Sequence, residues 1–501
     1  MARLEPSLLG HLPPGVAGPA YDRTLVTPGI VHFGVGGFHR AHEAMYVDTL
    51  LGSSSVAGQR GWGIVGVGTM AQDARMRDAL AGQDGLYTLV VKHPDGRREP
   101  RVVGSVLRFL LAADDPEGVL DLLADPAIRI VSLTITEGGY LFDPQTGELD
   151  AGAAIIQHDL QPGAVPTSAF GFITEGLRRR RAAGVAPFTV MSCDNIPGNG
   201  DVARRSISAF AELTDPDLAA WMRTEVAWPN SMVDRITPVT TQDDIDALAT
   251  EFGIEDQWPV VCEPFTQWAL EDHFVDGADG RPALDTVGVQ LVPDVEPYEL
   301  MKLRLLNASH QALCYLGYLS GYRFAHEVCQ DPLFVRFLLT YMEHEATPTL
   351  PDVPGVDLDA YRHQLIERFA NPEVRDTLAR LCAESSDRIP KWLVPVIVRN
   401  LENGGPIDCS ALVVAAWARY AEGVDEAGEP IEVVDQRGDQ VMAAAAAQGN
   451  DPLAFLRDRR LFGDLVDNER FTTVYAAQLA SLHEAGARAT LERLAADRDV
   501  S

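Results

Sequence analysis

Between residues 28 and 290 the hydrophobic positions fall into two alternating patterns. Short β-branched runs, Ile30–Phe33, Gly61–Gly68, Ile128–Thr136 and Phe188–Met191, read as buried strands. Segments with apolar residues three and four apart, Ala41–Leu51, 73–80, 116–123 and 168–183, read as helices between them. Tyr87–Val91 and Arg101–Val106 read as a strand pair around the turn Pro94-Asp-Gly. The stretch from Trp228 to Pro238 reads as an irregular loop, and Val260–Trp268 as a strand and a turn. From about residue 296 strands give way to helical spacing at 298–319, 331–343, 358–369, 373–383, 390–402, 408–421, 436–448, 451–457 and 469–496. This order predicts an α/β, Rossmann-like dinucleotide-binding domain over 1–290, followed by a mostly α-helical domain over 291–501.

One helix is anomalous. Pro297 suits a first helical turn, and Leu300, Leu303, Leu305, Leu306, Ala308, Ala312 and Leu313 surround the axis, as in a helix enclosed by protein. Lys302, Asn307 and His310 interrupt that apolar surface. At roughly 100° per residue, Lys302 lies at about 0°, His310 at about 80° and Asn307 at about 140°, on one side. Glu299 is one turn before the lysine. A lysine, an amide and an imidazole on one side of an apolar helix suit proton transfer, although a snorkelling lysine and a core histidine fit the same pattern.

Other chemistry-bearing residues collect at strand ends. After Phe33 comes Gly34-Val-Gly36-Gly37-Phe38-His39, a strand, glycine turn and helix of the kind that brings a pyrophosphate to a helix N-terminus. Its third glycine position holds His39. Asp73 is the nearest carboxylate beyond the second strand, where a ribose-binding acid is expected. Glu137 follows the strand at 128–136, and Asn195 follows the strand at 188–191, at the edge where open α/β sheets bind ligands. His39 and His42 are three apart, with no neighbouring carboxylate or cysteine read as completing the set, so no metal is expected.

Composition narrows the classes. A net charge of −31 argues against a nucleic-acid partner. No apolar run is long enough to span a bilayer, and the N-terminus lacks a signal-like apolar region. Six scattered cysteines without a CxxC pair argue against structural zinc and a disulfide framework. A cytoplasmic protein with reduced thiols is expected.

The ordered segments Gly34-Val-Gly-Gly-Phe-His-Arg-Ala-His42, Thr136-Glu-Gly-Gly-Tyr140, Ser192-Cys-Asp-Asn195, Asn230-Ser-Met-Val-Asp-Arg-Ile-Thr237 and Lys302-Leu-Arg-Leu-Leu-Asn-Ala-Ser-His310 resemble the polyol-specific long-chain dehydrogenases, the mannitol dehydrogenase family. The resemblance covers most of the chain. It implies a metal-independent interconversion of a sugar alcohol and a ketose with NAD, NADP being disfavoured by Asp73. It implies Lys302 as general base, Asn307 and Asn195 as donors to the reacting oxygen, His310 as the group that orients them and Glu299 as a proton relay. Asp234, Arg380 and Arg388 would bind substrate, and Gly34, Gly36, Gly37, Phe38, Asp73 and Glu137 would lie at the cofactor. The family often has lysine where Arg388 stands. Mannitol and fructose are the favoured pair, D-arabinitol and xylulose come next, and a uronate held by the two arginines is the alternative. A monomer without nucleic-acid or membrane partners is implied. Tyr298-x3-Lys302 also fits the tyrosine–lysine pattern of short-chain dehydrogenases, and a Schiff-base lysine is the remote alternative.

Overall fold

The computed structural model describes residues 1–53, 58–142 and 148–499. Two compact units divide the chain, Met1–Glu296 and Pro297–Ser501.

The first unit is built on five parallel strands: β1 (Pro28–Phe33), β2 (Gly63–Gly68), β3 (Val106–Leu111), β4 (Ile130–Leu133) and β5 (Thr189–Ser192), in the order β3-β2-β1-β4-β5. The order reverses direction between β1 and β4, which makes their C-terminal ends the switch point of the sheet. Strand alternation sorts β1 to two cores. Val31 and Phe33 join Val131, Leu133, Val190 and helix-borne Phe172 on one face. Ile30 joins Val47, Leu50 and Ile64 on the other. His32, two residues from Ile30, is fully buried, and the period of two sends it to the same face as Ile30.

Several local expectations need correction. The expected strand at Arg101–Val106 is two strands. Arg98–Val103 pairs antiparallel with Tyr87–Lys92, while β3 starts at Val106 and joins the main sheet. The break falls at Gly104-Ser105, whose groups bond to the helix over Glu43–Gly52: Gly104 N–H donates to Asp48 Oδ1 (2.8 Å) and the Ser105 hydroxyl to the Ala44 carbonyl (2.6 Å). The expected loop at 228–238 contains a strand, Ser231–Asp234, antiparallel to Gln267–Leu270. Its partner is remote in sequence, so its short polar pattern carries no local strand signal. The helix read over Ala41–Leu51 is α1 (Gly37–Ala41) and α2 (Glu43–Gly52), bent at His42.

The second unit is helical. Among its elements, α3 (Ala308–Leu319) and α4 (Asp408–Tyr420) pack together and are buried over nearly their whole lengths. The helix expected at 373–383 is confined to Leu378–Cys382, capped by Thr377. The last helix, Glu469–Asp499, is broken at Gly486, where φ is +84°. The residues from Glu296 to Leu319 do not form one α-helix. α-Helical turns over Glu296–Met301 lead into a π-helical turn, Lys302–Asn307, before α3 begins. All six cysteines are buried, and none forms a disulfide. Among the described residues, no helix is long and apolar enough to cross a membrane.

Candidate active site

In the first unit the glycine turn joins β1 to α1. Gly34 has φ of +94°, and a Cβ there would stand 2.2 Å from the Thr134 carbonyl oxygen. The fold alone therefore demands glycine at 34. Gly34 N–H donates to the Val67 carbonyl (3.1 Å), and the Thr134 hydroxyl donates to the Gly34 carbonyl (2.7 Å). Gly36 is different. Its φ is −116°, and a Cβ would meet nothing nearer than the Gly34 carbonyl at 3.8 Å. Neither strain nor protein packing requires glycine there, and its absent side chain leaves room for a ligand at the start of α1. Gly37 begins the helix, and the Phe38 ring stacks on His42 at 4.9 Å.

Beneath this turn lies a polar cluster that the sequence reading missed. His32 and His39 stack with ring centroids 3.5 Å apart and planes 15° from parallel. Glu43 Oε2 lies 3.1 Å from His32 Nδ1 and 3.7 Å from His39 Nε2. Glu43, adjacent to His42, is the carboxylate that the sequence reading left out. The cluster still suits an ion poorly. Near-parallel stacked imidazoles aim their in-plane lone pairs side by side, whereas a metal needs them to converge. Both His32 nitrogens also face hydroxyls, Ser132 at 2.8 Å and Thr134 at 2.9 Å. The Thr134 proton goes to the Gly34 carbonyl, so His32 Nε2 carries the hydrogen of the Thr134 contact. Burial pushes the His39 pKa well below the usual histidine range, with His32, Arg40 and His42 adding to the shift.

Two arginines, Arg40 within α1 and Arg235 outside it, tie α1 in place. Arg40 Nε donates to the Gly36 carbonyl at 3.3 Å, and its Nη1 donates to the Trp258 carbonyl. Arg235 Nη1 caps the Ala41 carbonyl at 2.7 Å, and its Nε and Nη2 bond to the Glu263 carbonyl. Asp234, beside it on the short strand, is buried.

At the end of β2, Asp73 lies over Gly68, where a built Cβ would be 2.5 Å from the Asp73 Cβ. It accepts from Met70 N–H at 2.9 Å. Its capping role and its place at the strand end therefore coexist.

The ends of β4 and β5 are tied by Asp194. This buried carboxylate accepts from Thr136 N–H (2.7 Å), Ile135 N–H (3.3 Å) and the Tyr140 hydroxyl (2.8 Å). Burial raises its pKa, while those hydrogen bonds act in the opposite direction. Thr136 has φ of +65°, an unusual conformation for a β-branched residue that the Asp194 bond supports. Asn199 extends the network by bonding to the Asp194 and Ser231 carbonyls at 2.9 and 2.7 Å. Glu137 and Asn195, which flank this network, are exposed. Asp194 thus anchors both loops, and the residues named from the sequence are the ones it leaves facing outward.

In the second unit the π-helical turn revises the angular reading. Ala308 N–H donates to the Leu303 carbonyl, five residues back. In such a turn residues five apart stand above one another, as residues four apart do in an α-helix. Lys302 and Asn307 are five apart, so they align rather than diverge by the 140° expected of an α-helix. Glu299 and His310 extend the line by three residues at each end. Lys302 and Asn307 are buried at 8% and 6% exposure. Glu299 and His310 are half-buried, and the His310 ring packs 4.3 Å from Phe369. Tyr298 is buried and its hydroxyl donates to the Pro354 carbonyl at 2.8 Å, so its proton is committed to the backbone.

The two arginines are also engaged within this unit. Asp376 takes the fork of Arg380 through Nε and Nη2. Arg388 Nη1 donates to the Arg380 and Leu381 carbonyls at 3.2 and 3.0 Å. Gln311 of α3 reaches the same Leu381 carbonyl at 3.2 Å.

Comparison with known proteins extends over both units. Residues 28–285 match the mannitol dehydrogenase Rossmann domain and residues 294–483 the mannitol dehydrogenase C-terminal domain. A mannitol 2-dehydrogenase of Aspergillus fumigatus is 46% identical over 482 residues, 95% of each chain. The Pseudomonas fluorescens mannitol 2-dehydrogenase, solved as a ternary complex with NAD and D-mannitol, is 46% identical, with a TM-score of 0.85 over 98% of this chain and 99% of its own. A D-sorbitol dehydrogenase in substrate-free form is 37% identical, with a TM-score of 0.91 over 98% of this chain and 100% of its own.

Proposed function

The chain belongs to the mannitol dehydrogenase family, and we propose that it is a polyol dehydrogenase that interconverts a sugar alcohol and a ketose with NAD, with D-mannitol and fructose as the favoured pair. D-Arabinitol and xylulose are the next pair. One observation carries the mechanism: the π-helical turn aligns Lys302 with Asn307, with Glu299 and His310 on the same line.

Oxidation of a secondary alcohol releases a hydride and a proton. Bound NAD supplies the hydride acceptor. The glycine turn fits such a cofactor, because Gly36 leaves open the space that a side chain would fill. Gly34, Gly37 and Phe38 shape the turn, Asp73 would take the ribose hydroxyls and repel a 2′-phosphate, and Glu137 would border the cofactor from the end of β4.

Lys302 takes the hydroxyl proton during oxidation and returns it during ketose reduction. The Asn307 and Asn195 amides donate to the reacting oxygen and stabilise the charge that develops there. His310, steadied by Phe369, orients lysine and substrate. Half-buried Glu299 passes the proton onward. Asp234 accepts from a substrate hydroxyl, and Arg380 and Arg388 border the polyol. No step in this scheme uses a metal.

The Arg380 fork favours a polyol over a uronate. A substrate carboxylate would have to displace Asp376 from the geometry it would itself use. The test follows nicotinamide absorbance over D-mannitol, D-sorbitol, D-arabinitol, fructose, xylulose and fructuronate, with NAD and NADP in separate series and with a chelator present or absent. Fastest turnover with D-mannitol and NAD, unaffected by chelator, is expected. A preference for fructuronate or NADP, or loss of turnover with chelator, would overturn the corresponding part.

A further inference from the structure

The π-helical turn at Lys302–Asn307 needs an explanation that its own residues do not give. Lys-Leu-Arg-Leu-Leu-Asn contains no proline or glycine, and five of its six residues rank among good α-helix formers. A helix that passes from five-residue back to four-residue hydrogen bonding must skip one carbonyl. Ala308 N–H is spent on Leu303, so it does not reach the Arg304 carbonyl, which it would bond in an α-helix. A side-chain donor stands there: the Tyr341 hydroxyl donates to the Arg304 carbonyl at 3.1 Å.

Tyr341 is fully buried and is itself firmly placed. It opens a second π-helical turn, Tyr341–Ala346, whose Glu345 is also fully buried. Glu345 accepts from Cys409 N–H (2.6 Å), Ser410 N–H (2.8 Å) and the Ser410 hydroxyl (2.6 Å), and so caps α4 with a carboxylate. The Asn400 amide bonds to the Glu345 carbonyl at 2.9 Å. Burial raises the Tyr341 pKa well above the usual phenol range, with Glu345 and Cys409 adding to it and Arg304 opposing, so the hydroxyl stays protonated and remains a donor. The chain of contacts runs from the N-terminus of α4, through Glu345 and Tyr341, to the carbonyl in the middle of the Lys302 turn.

We propose that Tyr341 is a positioning residue for the reaction, and that its hydroxyl holds the π-helical turn that aligns Lys302 with Asn307. Deleting that donor removes a bond that the Arg304 carbonyl makes where an α-helix would give it Ala308 N–H, which favours a shift of the turn toward four-residue bonding. That shift would rotate Asn307 away from Lys302 without removing either side chain. The catalytic consequence rests on Lys302 being the base.

Tyr341→Phe keeps the ring and deletes only the donor. Two readouts are measured on the full-length protein. Hydrogen exchange at the amides of residues 303–308 is expected to accelerate about tenfold or more, while exchange at α4 stays unchanged. Steady-state kinetics with D-mannitol are expected to show kcat reduced about 10–100-fold, KM for NAD within about twofold, and a displaced acid limb in the pH profile of kcat. Unaltered exchange at the turn overturns the inference, whichever residue proves to be the base. Altered exchange with unchanged kcat per folded molecule and an unchanged pH profile also overturns it, because the hydroxyl would then matter to structure alone. Lys302→Ala separates the two levels. Full turnover by that variant removes the base assignment, while the exchange result continues to decide what Tyr341 does to the turn.

Discussion

The glycine turn at Gly34–Gly37 and the π-helical turn at Lys302–Asn307 both depart from regular backbone, and they are built in opposite ways. The first works by omission. Gly34 has no side chain because the Thr134 carbonyl leaves no room, and Gly36 has none although the protein leaves room. Its effect lies in the backbone and in the space beside it. The second turn is made of ordinary residues, and the Tyr341 hydroxyl meets its middle carbonyl from a different part of the chain. Its effect lies in the side chains that it aligns. A local device can therefore be damaged by adding an atom, and a tertiary device by removing one far away in sequence.

The largest expected effect tests the side-chain half of this contrast. Lys302→Ala should leave the turn folded, with NAD binding within about twofold, and lower kcat about 10²–10⁴-fold, the range of a lost general base. Tyr298→Phe, four residues earlier, should keep kcat within about threefold and cost about 1 kcal/mol of stability through the bond to the Pro354 carbonyl. Stopped-flow turnover and urea unfolding of both variants measure this. The reverse pattern would move the acid/base to tyrosine and leave the π-helical turn without a catalytic purpose.

The next test separates the two glycines. Gly34→Ala forces a Cβ onto the Thr134 carbonyl at a positive φ, and backbone strain alone should cost about 1–3 kcal/mol. Gly36→Ala should leave stability within about 0.5 kcal/mol, as at a position without packing neighbours, yet weaken NAD binding at least about tenfold, or ~1.4 kcal/mol. Calorimetric unfolding and NAD titration distinguish them. Equal NAD affinity in Gly36→Ala and the parent would remove the ligand-approach argument for Gly36.

The smallest expected effect concerns the cluster under the glycine turn. Burial holds His39 well below its usual value of 6.5. Below about pH 6.5 the unfolded chain therefore binds a proton at this residue that the folded protein does not. Stability should rise with pH up to that point and fall as pH drops below it, by up to ~1.4 kcal/mol per pH unit for this one group. His39→Phe should flatten that slope between pH 6.5 and 5, as read by urea unfolding at several pH values. An unchanged slope would remove His39 as the source of that pH dependence.

These contrasts also mark what could be read from residues alone. Four of the five strands of the main sheet were legible because their apolar runs are distinct, β3 was not, and the glycine turn was legible because glycine declares permissive backbone. Lys302, Asn307 and His310 were legible as polar interruptions in an apolar helix. Their alignment was not. An α-helical wheel put Asn307 about 140° from Lys302, and nothing in the six residues announces five-residue bonding. The donor that suits it lies at position 341. The strand Ser231–Asp234 was hidden for the same reason, since its partner is some thirty-five residues away. Asp194 was passed over beside Asn195, although a carboxylate directly after a buried strand is a signal of a loop anchor. Glu43 was missed through reading the histidines as a pair rather than as part of a helix face.

The six buried thiols offer a clock. Burial pushes Cys262 up to about 12 and Cys193 well above the ordinary thiol range, and Cys314 of the second unit is raised in the same way. A thiol that is both shielded and protonated resists alkylation until its surroundings open. Mass-resolved labelling of Cys193 and Cys262 against Cys314 and Cys409 would therefore time the opening of the sheet and of the helical array separately, with no probe introduced into either.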